Sequence, residues 1–262
     1  MDLATWSELK LTLFMLVFFR NMGLLIAAPL FQSRNLPPMV RVSVALFLSF
    51  IFTPLLDPLS TLPMTLASLF FDLLREFALG LLMGYILYLT FAGLQLAGQL
   101  VELPMGFTMV NVLDPQTGGQ MPILGQLYFL VALWLFILVK GDHALFSVLA
   151  QSYRLLPIGE TIIFTKGLPY LVKAFGNLFL LAVQVALPIF GVLFLTDIGL
   201  GVLARLVPQI NVFFLGFPLK VFVGLFLLIL SLPVFCRWLA ESYSGNGSVW
   251  SELLRFLKTL RP

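Results

Sequence analysis

Long, continuously apolar runs dominate the chain, separated by shorter stretches that hold most of the polar residues. In lipid, backbone polar groups must be satisfied within the segment, so about 20 apolar residues wound as a helix make one crossing. The pattern predicts six: residues 11–31, 42–62, 66–96, 123–139, 171–195 and 212–239. The runs do not alternate with period two, which argues against a β-barrel. Pro29, Pro54, Pro58, Pro188, Pro208, Pro218 and Pro233 lie in or beside them. Backbone groups freed by proline at membrane depth need cover from protein or a cavity. The helices are therefore expected to pack in a larger assembly.

The connections carry further information. Residues 97–122 contain Gly and Pro but no Lys or Arg. Residues 140–170 read as a more polar connection, with Lys140, Asp142, His143, Arg154, Glu160 and Lys166. The tail begins with a flexible Ser-Gly-Asn-Gly-Ser run from Ser244 to Ser248. It ends in a short amphipathic stretch, where Trp250, Leu253, Leu254 and Leu257 stand beside Arg255, Lys258 and Arg261. That end reads as interfacial or as a partner contact. Six crossings would put both termini and the 140–170 connection on one side. That side holds most of the Lys and Arg outside the runs, so it is expected to be cytoplasmic.

Composition agrees with the pattern. Of 262 residues 60% are hydrophobic and only 10% charged, against about 25% charged in soluble domains. The net charge of +3, from 15 Lys+Arg and 12 Asp+Glu, is scattered along the chain and offers no nucleic-acid footprint. Cys236 is the single cysteine, so an internal disulfide and a cysteine metal cluster are excluded. It reads as a small apolar residue. Asp2 and Glu8 stand where a signal peptide is basic, and the apolar run after Lys10 is too long for one. The first segment is expected to be retained.

Familiar enzyme chemistry finds no support. His143 is the only histidine, so a two-histidine zinc helix is excluded. Asp142 follows Gly141, but Val139 stands where an intramembrane aspartyl protease would have a second glycine. A nucleophile elbow and a phosphate loop are both missing from the sequence. The expectation is a protein that is not an enzyme and needs no cofactor or metal.

Charges inside the apolar runs are costly unless paired or hydrated. Asp72, Arg75 and Glu76 lie in the third run at helical spacing. Asp72 can pair with Arg75, which leaves Glu76 in need of a partner. Arg20, beside Asn21, poses the same question in the first run. Two readings stand: charges at an interface, or an assembly contact or lining of an aqueous path. Gly80 and Gly84, followed by Gly93 and Gly98, allow close helix approach.

The most unusual stretch is 105–122, which holds Met105, Gly106, Phe107, Met109, Asp114, Pro115, Gly118 and Gly119. Methionine adapts to irregular surfaces. Such a loop could close a pore yet yield to varied cargo, or it could be a re-entrant or surface loop with no gating role.

At these residues the chain resembles the FliR/SctT family of the flagellar and type III secretion export gate. The carriers are Arg20…Ala28-Pro29-Leu30-Phe31…Leu36-Pro37…Arg41, Glu76…Gly80…Gly84, Ala97-Gly98…Met105-Gly106 and Asp114-Pro115…Gly118…Pro122. Further on come Leu155-Leu156-Pro157-Ile158-Gly159, Ala186-Leu187-Pro188 and Arg205…Pro208-Gln209-Ile210-Asn211-Val212-Phe213…Gly216-Phe217-Pro218-Leu219-Lys220. The resemblance implies an all-α integral membrane protein of bent helical hairpins in a pore-forming hetero-oligomer. It implies as partners P-type and Q-type gate subunits, an FlhB-like switch protein and unfolded secreted polypeptides. It implies the bacterial inner membrane, at the flagellar basal body or the base of a secretion apparatus. Residues 1–165 would resemble the P-type subunit, with 104–122 as a plug-like loop. Residues 166–243 would be a Q-type hairpin, and 244–262 a flexible amphipathic tail. Arg205, Pro208, Gln209, Asn211, Pro218 and Lys220 would lie at the cytoplasmic turn, near neighbouring subunits. Simple full crossings are then too plain a picture for helices expected to bend.

Two features depart from the family pattern. Many members have Gly followed directly by His, whereas here Asp142 intervenes before His143. Glu102 and Pro104, leading into the loop, are less usual, so the loop's approach is expected to differ. The Gly216-Phe217-Pro218 version of the last motif leans towards the flagellar branch. The competing readings are an injectisome gate subunit, or a self-contained secondary transporter using Asp72, Arg75, Glu76 and Asp197. The transporter predicts matched internal repeats of broken helices, and the sequence has none that is convincing.

Overall fold

The computed structural model describes residues 3–32, 36–56, 65–107, 122–160, 162–209, 211–245 and 247–261. The described residues form helices and their connections, with no strand among them. The helices are α1 (Leu3–Ala27), α2 (Pro38–Phe52), α3 (Leu66–Met105), α4 (Ile123–Leu138), α5 (Gly141–Leu155), α6 (Phe164–Leu206), α7 (Val212–Tyr243) and α8 (Ser248–Thr259). Five stretches are long and apolar enough to cross a membrane, or six if the bent pair α4–α5 counts as one span. The all-helical membrane architecture expected from the apolar runs is therefore what the chain adopts.

Several elements differ from the run boundaries. α6 continues through Pro188 as a 43-residue helix. Proline removes one backbone donor, but the remaining i→i−4 bonds on either side can hold a long helix together. α3 extends past the predicted end at residue 96 to Met105 and takes in Pro104. The 140–170 connection contains a helix, α5, that the polar residues hid. Its buried positions are Gly141, Ala144, Leu145, Val148, Leu149, Ser152 and Tyr153, a stripe at helical spacing. Lys140, in the left-handed region at φ 59°, separates α4 from α5.

The chain divides into two compact units. One comprises residues 1–89, 140–174 and 243–262, the other residues 90–139 and 175–242. In the first, α1 and α3 run side by side in the same direction, with their backbones in close approach. A Cβ on Gly80 would collide with the Arg20 carbonyl, and one on Gly84 would lie 2.6 Å from the Leu24 oxygen and 2.7 Å from Ala27 Cβ. Only glycine permits this approach. α2 packs on α1, and α8 packs on α5.

The tail helix α8 was expected at an interface or on a partner. Its apolar face instead goes into the chain's own first unit, where Val249, Trp250, Leu253, Phe256 and Leu257 are buried. Three polar contacts hold it. Trp250 Nε1 donates to the Tyr243 carbonyl at 3.0 Å, Tyr170 Oη to the Glu252 carbonyl at 2.5 Å, and Lys166 Nζ to the Arg261 carbonyl at 3.0 Å.

In the second unit, Phe91 packs edge-on against Phe129 and Phe136, with ring centroids 5.8 Å apart in each case. Gly98 meets the start of α4 so closely that a Cβ would lie 2.5 Å from Gly125 Cα. α6 and α7 keep most of their apolar surface uncovered. Of the most apolar windows, 28% is buried for α6 and 17% for the stretch that begins in α7. For α3 the figure is 56%.

Candidate functional site

Two sets of the sequence-flagged residues come together in the described structure. The first is a polar cluster inside the first unit. Arg20 Nε donates to Glu76 Oε2 at 2.6 Å, and both side chains are at most 1% exposed. The glycine seam explains why: Arg20 stands one turn before Gly23, and Glu76 one turn before Gly80. Two charges at membrane depth thus neutralise each other across α1 and α3.

The guanidinium has further partners. It donates to Ser152 Oγ at 3.4 Å and to the Leu156 carbonyl at 3.0 Å. It also lies 4.7 Å from the centroid of the Tyr153 ring, within cation–π range. Tyr153 Oη in turn donates to Asn21 Oδ1 at 2.6 Å, and Asn21 Nδ2 to Ser49 Oγ at 2.9 Å. Arg20 therefore ties α1 to α3 and to the end of α5, while Asn21 ties α1 to α2. Leu156 belongs to the Leu-Leu-Pro-Ile-Gly element, which ends at Gly159 with φ 88°. Glycine adopts that backbone without strain. Glu76 Oε1 is buried with no hydrogen-bond partner among the described residues.

Asp72 and Arg75 sit outside this cluster. They pair with each other at 2.9 Å and remain partly exposed. Ser49, Ser152, Tyr153 and the Leu156 carbonyl had not been singled out as partners. Their only sequence signal was a few polar side chains on otherwise apolar helical faces.

The second set is where α3 leads into the 105–122 stretch. Met105 is fully buried against α7, where a Cβ on Gly224 would lie 2.6 Å from Met105 Sδ and Cε. Gly106 has φ 85°, and a Cβ there would meet the Phe217 ring at 3.1 Å. Phe107 is half-buried. Met109, Asp114, Pro115, Gly118 and Gly119 lie outside the described residues. The far end is held by Glu102, 2% exposed. Its carboxylate accepts from the Ile123 amide at 3.2 Å and the Leu124 amide at 3.3 Å. Those are the first two amides of α4, so the charge satisfies otherwise orphaned donors at the positive helix end.

The hairpin-turn residues form a third group. Arg205, Pro208, Gln209, Asn211 and Pro218 are exposed. The Phe214 amide donates to Asn211 Oδ1 at 3.4 Å, at the start of α7. Lys220 on α7 forms an ion pair with Asp197 on α6. His143 is exposed and bonded to its neighbour Asp142 at 3.0 Å.

A helical membrane protein with a neutralised charge pair inside and two long, largely uncovered apolar helices is the class these features define. Residues 11–245 match the family of bacterial export proteins, family 1, and the chain belongs to that family. Several of its relatives carry the name flagellar biosynthetic protein FliR. That of Bacillus subtilis is 34% identical over 224 residues, covering 84% of this chain and 86% of the relative. That of Escherichia coli K12 is 29% identical, covering 93% and 94%. That of Aquifex aeolicus is 29% identical, covering 99% of this chain and all of the relative.

Proposed function

We propose that the chain is a non-enzymatic subunit of the flagellar protein export gate in the bacterial inner membrane. It would form part of the channel for unfolded export substrates, beside P-type and Q-type subunits and an FlhB-like switch protein. The observation that carries this reading is the full-length similarity to relatives named for flagellar biosynthesis. The uncovered apolar faces of α6 and α7 support it, because a gate subunit needs such faces for its neighbours as well as for lipid.

Within that role, the 104–122 loop would seal the pore when no cargo is present. Met105 and Glu102 are suited to act as its two feet, one packed on Gly224 and the other capping α4. Cargo would displace the loop, and its flexible apolar side chains would re-form around the passing chain. The exposed turn with Arg205, Pro208, Gln209 and Asn211, continuing to Pro218, would meet neighbouring subunits. The ion pair of Lys220 would stiffen the hairpin behind it.

The test is ion leak through the assembled gate. Replacing residues 105–109 with Gly and Ser should raise leak while the gate still assembles. An unchanged leak in a fully assembled gate would refute the sealing role. The transporter alternative is not favoured, since the charges it would use are paired with other side chains: Asp72 with Arg75, Glu76 with Arg20, Asp197 with Lys220.

A further inference from the structure

The start of α6 and the end of α7 meet at α8. Both belong with α8 to the first unit, which takes in residues 140–174 and 243–262. At its beginning α8 is joined to α7 by the short connection 244–247, where the Gly247 amide donates to the Ser244 carbonyl at 2.7 Å. Trp250 then reaches back to the carbonyl of Tyr243, the last residue of α7. A helix end leaves such carbonyls without an amide from their own helix.

Further along, α8 lies on the first turns of α6. The Tyr170 hydroxyl donates to the Glu252 carbonyl, and its ring stands 5.6 Å from that of Phe256. Gly167 makes the close approach possible, since a Cβ there would lie 2.7 Å from Leu260 Cδ2 and 2.9 Å from Phe256 Cε2. At the end of α8 the Leu260 carbonyl accepts from the Ile163 amide at 3.1 Å, just before α6 begins. The connection from α5 is thus held from both sides, by Arg20 on the Leu156 carbonyl and by Leu260 on the Ile163 amide.

α8 is only 12 residues long, and a helix of that length is marginal alone. It keeps its shape by docking, and its docking in turn supplies the partner of Ile163 and the cover over Gly167. Such coupling is reciprocal. α8 also packs on one side only, with Ser248, Ser251, Arg255, Lys258 and Arg261 exposed. On α3, by contrast, Leu79, Met83 and Leu87 are fully buried along the glycine seam. One-sided elements open at lower free energy than such a core.

We propose that α8 is a clasp, which orders the start of α6 and ties it to the end of α7. α8 and residues 163–173 open and close as one cooperative unit, while the seam between α1 and α3 stays shut. The proposal concerns the chain by itself and does not depend on the gate reading.

The test is native-state hydrogen exchange of the full chain in mild detergent under rising denaturant. Amides of residues 253–260, of Ile163 and of residues 168–173 should merge into one opening, with protection about tenfold or more below that of residues 79–87. Leu253→Asp, which puts a charge on the buried face of α8, should strip protection from Ile163 and residues 168–173 and leave residues 79–87 as they were. Leu253→Met should keep the exchange of the parent. If α8 opens while Ile163 and residues 168–173 stay protected, the clasp is refuted. Equal loss at residues 79–87 also refutes it, because α8 would then open only with the whole unit. If Leu253→Asp does not fold, the merging of openings in the unaltered chain still decides.

Discussion

At the scale of single residues, the interior charges show how a costly group becomes tolerable. Arg20 and Glu76 are both fully buried, and each removes the other's penalty. Taking away one partner leaves an uncompensated charge in a low-dielectric interior, which costs about 3–5 kcal/mol. Glu76→Leu is therefore expected to lower the unfolding temperature sharply in detergent. The double variant Arg20→Met/Glu76→Leu should recover much of that loss, because apolar replacement of a whole buried pair is often neutral. A glycine comparison gives a second residue-scale prediction. Gly80→Ala should destabilise, since its Cβ collides with the backbone of α1, whereas Gly176→Ala meets nothing within 4 Å. The latter should stay within about 1 kcal/mol of the parent, on the stabilising side if anywhere. Unfolding of both variants under identical conditions measures the contrast.

At the scale of elements, caps and amphipathic faces decide where helices begin and what they cover. Glu102 holds the first amides of α4, a cap worth about 1 kcal/mol. Glu102→Ala should accelerate hydrogen exchange at Ile123 and Leu124 more than at residues deeper in α4. Uniform exchange along α4 in the two proteins would contradict the cap. α8 depends on its apolar face: Leu253→Asp would put a charge among Trp250, Phe256 and Leu257 and should release the tail to proteolysis.

The same scale shows why some elements were readable from sequence and others were not. α1, α3, α6 and α7 announce themselves because apolar runs of crossing length leave few alternatives in lipid. α5 was hidden because Asp142 and Arg154, with Lys140 just before it, make the stretch read as polar, while only seven of its residues are buried. Pro188 lies within the run expected at 171–195, and the helix passes through it and extends beyond both ends of that run, since one missing donor is a small fraction of a 43-residue ladder. The destination of α8 was hidden too. An amphipathic face states that something covers it, not whether that cover is lipid, a partner or the same chain. Glu76 could be flagged from sequence as needing a partner. That the partner is Arg20, 56 residues away, depends on a glycine seam that spacing alone only hints at.

At the scale of the molecule, the chain is a helical membrane protein whose two halves of surface tell different stories. The polar interior of the first unit is closed by its own side chains. α6 and α7, by contrast, display Phe179, Leu187, Phe194, Phe222, Phe226 and Ile229 without cover from the chain itself. Lipid alone could wet these faces, but membership of a bacterial export family and the gate reading both call for protein neighbours as well. The most direct test is native mass spectrometry of the tagged protein, extracted from its own membranes in mild detergent. The account predicts a discrete complex containing other small, highly apolar proteins. A stable monomer or homo-oligomer without such partners, across several detergents, would contradict it.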